Sequence, residues 1–160
     1  MPANNEFKLR RAVQNDNDQI RQLFYDTINN INVRDYSSEQ IKLWSSGYLK
    51  IDRWKKSIAE QYFIVSESYK IVTGFASITD KGYLDFMYVH KDHQGKGIAS
   101  AMLAELESFA DSKGIKDIWA QVSITSRPFF KSKGFEITKE FITKIEDIEF
   151  ADAVMTKYRA

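Results

Sequence analysis

The sequence predicts a mixed α/β (α+β) fold, a sheet flanked by helices rather than a doubly wound parallel one. Three observations predict it. Strand-like and helix-like runs alternate irregularly: strands grouped with the early helices, then helix, strand, helix, strand, strand. The apolar run Leu84-Asp85-Phe86-Met87-Tyr88-Val89 leads through Gln94-Gly95-Lys96-Gly97 into a stretch where Ile98, Met102, Leu106 and Phe109 recur at helical steps. The 160 residues, 43% hydrophobic and 14% aromatic, fill one domain over 1–160 and leave too little core for a second.

A strand over residues 7–11 opens the chain, and Asp16 or Asp18 caps a helix carrying Ile20, Leu23, Phe24, Thr27, Ile28 and Ile31. Ser37 and Gln40 have the spacing of a capping box and start a short helix through Ile41 and Trp44. Asp52 is the expected cap of the next, which ends near Glu60. Strands follow at 62–67, 71–79 and 82–89, the first two joined by the polar turn Ser68-Tyr69-Lys70. The helix after the glycines runs to about Lys113, with Gly114 as its C-terminal cap. A strand at 118–122 precedes a short helix that holds Pro128 in its first turn and ends at Gly134, and strands at 135–145 and 148–158 finish the fold.

Composition excludes several function classes. A net charge of +1 provides no field to recruit nucleic acid or an anionic membrane. The absence of cysteine removes disulfides, thiolate catalysis and cysteine-ligated metal, and His90 and His93 in one turn lack the acidic cluster of a metal site, so none is expected. No apolar run approaches 18 residues and the stretch 1–6 has no charged-then-apolar leader, so the expected location is cytoplasmic. Neither repeats nor a Pro/Gly linker divide the chain.

The glycine turn carries the functional signal. A strand that breaks into glycines and then starts a helix aims free backbone N–H groups at one spot, which suits a phosphate or pyrophosphate. Gly95 and Gly97 accept positive φ and let an oxyanion approach the backbone, and residues 94–103 contain no Asp or Glu, so the site is electropositive, with Lys96 beside it. Gly95-x-Gly97 with Ser100 imitates a dinucleotide fingerprint, but the polar turn His90-Lys91-Asp92-His93 intervenes and Asp117 precedes its strand instead of ending it. A Walker-type loop fails because no Gly-Lys-Ser/Thr follows a four-residue spacer.

With the 84–89 run, Gln94-Gly95-Lys96-Gly97-Ile98-Ala99 and the later Phe129-Phe130-Lys131-Ser132-Lys133-Gly134-Phe135 in view, the chain resembles the GNAT superfamily of N-acetyltransferases. The glycine turn looks like the family's Gln/Arg-x-x-Gly-x-Gly/Ala signature, and the Gly-Phe after the short helix is a second match at the family's usual distance. The resemblance implies a mixed, mostly antiparallel central sheet of about seven strands, splayed at an acetyl-CoA cleft. It implies acetyl-CoA as cofactor, with the pyrophosphate on the amides of Gly95, Lys96, Gly97, Ile98, Ala99 and Ser100. Gln94 belongs to the same loop, and pantetheine would lie along Met87, Tyr88 and Val89, with Ser123 and Phe130 further contacts. By strand alternation Tyr83, Asp85, Met87 and Val89 face one way and Leu84, Phe86, Tyr88 and His90 the other.

The implied reaction is direct attack of a neutral amine on the thioester. An amine of pKa about 10.4 is neutral in roughly one molecule in 2,500 at pH 7, a handicap near 4.6 kcal/mol, so its proton must be removed. Asp85 and Glu67 are the candidate bases, Asp85 preferred because alternation places it with Val89, while His90 and His93 read as turn residues. Many members place a proton-donating tyrosine where this chain has Phe130, so Tyr88 or a water serves the leaving thiolate or it departs unassisted, and Ser123 stands where an asparagine is common.

The acceptor is expected to be a small-molecule amine or a protein amino group, and homodimer formation is left open. Tyr36, Trp44, Tyr48, Trp54 and Phe141 are candidate pocket or core aromatics, and Asp35, Glu39 and Asp52 could draw in a cation or simply cap helices. Two other readings stand beside the acetyltransferase: a non-catalytic acyl-CoA sensor, kept alive by Phe130, and a nucleotide-binding oxidoreductase.

Overall fold

The computed structural model describes residues 7–159, so the 1–6 stretch lies outside it. Among the described residues seven strands form two hydrogen-bonded groups. β1 (Lys8–Arg11), β2 (Tyr62–Ser68), β3 (Ile71–Ile78) and β4 (Leu84–Val89) make an antiparallel sheet in that order. β5 (Ile118–Val122), β6 (Glu136–Ile145) and β7 (Ile148–Lys157) make a second, ordered β5-β7-β6. Between them the described residues show one isolated parallel bridge, Tyr83 to Trp119, so the sheet parts between β4 and β5 as expected of a splayed one.

Helices α1 (Asn17–Asn30), α2 (Ser38–Ser45) and α3 (Ile51–Glu60) cover one face of the first sheet, burying Ile20, Ile28 and Trp54 against Phe63, Phe75 and Phe86. α4 (Ile98–Ser112) covers the other through Ile98, Met102 and Leu106, and that core continues into the second sheet and α5 (Arg127–Ser132) through Ile118, Met155 and Phe130. Because both faces are covered, β2 and β3 are buried along nearly their whole length, with Ser66, Thr73 and Ser77 among the buried residues. A Cβ on Gly74 of β3 would lie 3.0 Å from Ile98 and 3.1 Å from Met102, so this glycine lets the first turn of α4 rest directly on the sheet.

Local signals account for most boundaries. Ser37 Oγ accepts from the Gln40 amide and Gln40 Oε1 accepts from the Ser37 amide, the expected capping box. α4 ends as read at Gly114, φ +70°, where Ile115 N–H donates to Ala110 C=O and Gly114 N–H to Asp111 C=O.

Two expected caps are corrected. Asp52 lies in the first turn of α3, whose N-cap is Lys50. Asp16 does occupy the N-cap of α1, but its carboxylate accepts from Arg10 at 2.9 Å on both oxygens and from the Val13 amide at 2.8 Å instead of capping the helix. Arg10 also holds Glu67, so β1, β2 and the start of α1 share one ion-pair network. Burial alone would raise the Asp16 pKa, yet the Arg10 bonds and the Val13 N–H bring it below the usual range. Its stabilising contribution is therefore present above the unfolded carboxylate value and lost as pH falls through the lower folded value. Asp16→Ala is expected to cost about 2 kcal/mol, less than the roughly 3–5 of a fully buried pair because Arg10 is partly exposed, and urea unfolding at pH 7 reads it.

Candidate active site

A cleft of about 760 Å³ opens where the two sheets part, walled by β4 on one side and by β5 and the start of α5 on the other. The loop Gln94 to Gly97 and the first turn of α4 lie at one end. Gly95 (φ +72°) and Gly97 (φ +84°) are both left-handed, and a Cβ on either would meet nothing within 4 Å, so the space beside them is open for a ligand. Gly97 is the N-cap of α4, with no capping side chain and no acid in the first turn. The N–H groups of Ile98, Ala99 and Ser100 precede the first helical bond, Ala101 N–H to Gly97 C=O, and are left for an anion.

The loop is braced from within. Gln94 Nε2 donates to Val89 C=O at 2.7 Å, His93 N–H to His90 C=O at 2.9 Å, and Asp92 N–H to His90 Nδ1 at 3.0 Å, so His90 serves the turn. His93 lines the cleft, and burial, with the Lys96 and His90 charges, lowers its pKa against a smaller opposing pull from Asp92.

β4 presents its free edge to the gap. His90 N–H donates to Thr73 C=O, so by antiparallel alternation the polar groups of Tyr88 also face β3, while those of Met87 and Val89 face β5. Val89 C=O is already taken by Gln94 and by the Thr27 hydroxyl at 3.1 Å. The Val89 N–H and both polar groups of Met87 remain for an extended ligand added like a strand.

Strict alternation fails at one residue. Ser77 pairs with Phe86 and Ile78 with Leu84, which makes Asp85 the extra residue of a bulge. Leu84 therefore joins the α4 core, and Asp85 turns away from the Val89 face, accepting from Gln61 Nε2 at 2.8 Å at the end of α3. Asp85 still lines the cleft.

The far part of the cleft is aromatic. Phe24, Tyr36, Trp44, Phe86, Tyr88 and Phe150 line it, with Asp85, Asp152, Lys50 and Arg53 among them. Asp152 Oδ2 accepts from Gln121 at 3.1 Å and from Thr143 at 2.5 Å, and neither Asp85 nor Asp152 makes an ion pair among the described residues. The Tyr88 ring packs on Phe75 and Phe24, and burial pushes its phenol well above the ordinary value.

The Acetyltransferase (GNAT) domain family matches residues 32–156. The chain belongs to that family. It is 27% identical over 136 residues to the uncharacterised N-acetyltransferase YafP of Escherichia coli K12, covering 85% of each chain. Among solved structures, a GCN5-related N-acetyltransferase from Rhodopseudomonas palustris superposes with a TM-score of 0.92 at 23% identity, covering 99% of both chains. The PaiA N-acetyltransferase of Thermoplasma acidophilum, solved in complex with coenzyme A, gives 0.78 at 20% identity, covering 95% of this chain and 98% of its own.

Within this acetyltransferase, Met87, Tyr88, Val89, Gln94, Gly95, Gly97, Ile98, Ala99, Ser100, Ser123 and Phe130 all line the cleft. Lys96 and Glu67 do not, and Glu67 is committed to Arg10. Phe130 is also a core residue, 3% exposed and edge-on to Phe129 and Phe135. Of the candidate pocket aromatics, Tyr36 and Trp44 line the cleft, Trp54 is core, and Tyr48 and Phe141 lie elsewhere. Asp35 accepts from the Thr125 hydroxyl at 2.7 Å, a role given by neither alternative. Sequence reading missed Arg53 and Asp152, whose places in the cleft depend on long-range packing that no local pattern encodes. Among the described residues no helix is long and apolar enough to cross a membrane, and no three His, Cys, Asp or Glu side chains are grouped to hold a metal.

Proposed function

We propose that this acetyltransferase binds acetyl-CoA across the gap between β4 and β5 and transfers the acetyl group to a primary amine of a small molecule or protein. The observation that carries the reading is the union of an open anion cradle at Gly95 to Ser100 with the unpaired edge of Met87 and Val89. The cradle takes the pyrophosphate and the edge takes the pantetheine amides; nothing fills the space beside either glycine. When bound, acetyl-CoA supplies a thioester carbonyl for direct attack, with CoA as the leaving thiolate. Asp85, steadied by Gln61, receives the acceptor amine and holds its proton, and the aromatic wall excludes water from the reacting end.

The test follows free thiol while acetyl-CoA is incubated with a panel of cationic, aromatic and peptide amines. Acceptor-dependent release with at least one class is expected; cofactor binding without release across the panel would favour the sensor reading instead.

Binding is also expected to be proton-linked at His93. A pyrophosphate nearby offsets the Lys96 charge and raises the His93 pKa from its lowered value, so the complex takes up protons and affinity strengthens as pH falls through the histidine range. Calorimetry of wild type against His93→Gln isolates this from titration of the cofactor's own phosphates, since only the wild type carries the added dependence.

A further inference from the structure

The segment between α1 and α2 reaches across the cleft and docks on the loop that follows β5. Asp35 accepts from the Thr125 hydroxyl at 2.7 Å, and the Tyr36 hydroxyl oxygen accepts from the Ile124 N–H at 2.8 Å. The Tyr36 ring is fixed by an edge-on contact to Trp44, centroids 5.2 Å apart, and by Phe150 at 6.3 Å. A half-buried phenol is thus held at the end of β5 with its oxygen engaged as an acceptor and its proton still available to donate.

A departing thiolate in this cleft gets no such donor from Phe130, a hydrocarbon packed among Phe129 and Phe135. The other hydroxyls nearby are committed or misplaced. Ser123 and Ser126 bond each other at 2.9 Å, and Thr125 donates to Asp35. Tyr83 packs at a tilt on Trp119 beside the bridge that joins the sheets, and the Tyr88 ring lies among the aromatics under α1.

We propose that Tyr36 donates the hydrogen bond that stabilises the CoA thiolate as it leaves, an inference that rests on acetyl-CoA occupying the gap as described above. As the amine nitrogen forms the new C–N bond, the C–S bond breaks and its electron pair goes to sulfur; the amine proton goes to the base, and the thiolate departs on the Tyr36 O–H. A phenol of pKa about 10 is a weaker acid than a thiol near 8.5, so complete proton transfer runs uphill and donation without transfer is the role. Burial raises the Tyr36 pKa further, while the Ile124 N–H on its oxygen opposes that rise and polarises the O–H toward an anion.

The test titrates the thiol of bound CoA, followed by the ultraviolet absorbance of the thiolate, and needs no acceptor. In the wild type the bound thiol is expected to ionise about tenfold more readily than in Tyr36→Phe, with CoA itself bound by both. The phenyl ring keeps the Trp44 and Phe150 contacts, so the variant folds, and its thermal midpoint checks this. Tyr88→Phe is expected to leave the titration unchanged. Turnover with any reactive amine should fall by up to about tenfold in Tyr36→Phe, since the same hydrogen bond acts on the charge that develops on sulfur. Identical thiol titration in wild type and Tyr36→Phe, or a shift seen only in Tyr88→Phe, would overturn the assignment. A wild type that releases no thiol with any amine would instead defeat the reading of the reaction while the titration result stood.

Discussion

Gly97→Glu is expected to abolish acetyl-CoA binding while leaving the protein folded. Gly97 has φ +84° at the N-cap of α4, and a side chain there projects into the open space of the cradle. The left-handed backbone costs an L-residue about 1–2 kcal/mol, partly offset because a carboxylate at a helix N-terminus is favoured by the dipole. The ligand loses far more. Displacing two charge-assisted hydrogen bonds, each contributing about 1.5–3 kcal/mol, weakens binding by roughly 10²–10⁴-fold before repulsion between the carboxylate and the pyrophosphate is added. Calorimetry against the wild type reads the loss, and circular dichroism shows whether the fold survives. Unchanged affinity would remove the loop from the binding site.

The second large effect falls on the junction that sets the cleft. Gly82 has φ +93°, and a Cβ there would lie 2.5 Å from the Asp117 carbonyl oxygen and 3.0 Å from the Ile115 side chain. Its own carbonyl accepts from Trp119 N–H at 3.0 Å, beside the one bridge joining the two sheets among the described residues. Gly82→Ala therefore combines left-handed strain with a backbone collision, about 3 kcal/mol together. For a chain of this size that lowers the thermal midpoint by roughly 6–12 °C. Because the junction fixes how far β4 and β5 diverge, weaker acetyl-CoA binding should accompany it. A midpoint within a degree or two of the wild type would show that the β5 segment yields more easily than its contacts indicate.

Much of this was legible because it is local. The two glycines between an apolar strand and a helix without acids in its first turn mark the cradle, and the structure places left-handed residues and free amides there. Ser37 and Gln40 mark a helix start for the same reason: both partners of the capping box lie within four residues. Asp16 shows the limit. It sits where a cap belongs, but Arg10 on the neighbouring strand binds its carboxylate more strongly than one amide could. Asp85 fails differently, since a single bulged residue reverses the facing that period-two alternation assigns. Tyr36 could be read only as a pocket or core aromatic, because its hydrogen-bond partner lies 88 residues away and docking across the cleft leaves no trace in either segment.

The measurement that bears most directly on the account is backbone amide NMR during titration with acetyl-CoA, with NAD as the comparison ligand. Saturable shifts and slowed exchange are expected at the amides of Val89 and of Gly95 to Ser100, with none produced by NAD. Saturable acetyl-CoA binding that leaves those amides unperturbed, or protection of them by NAD instead, would contradict it.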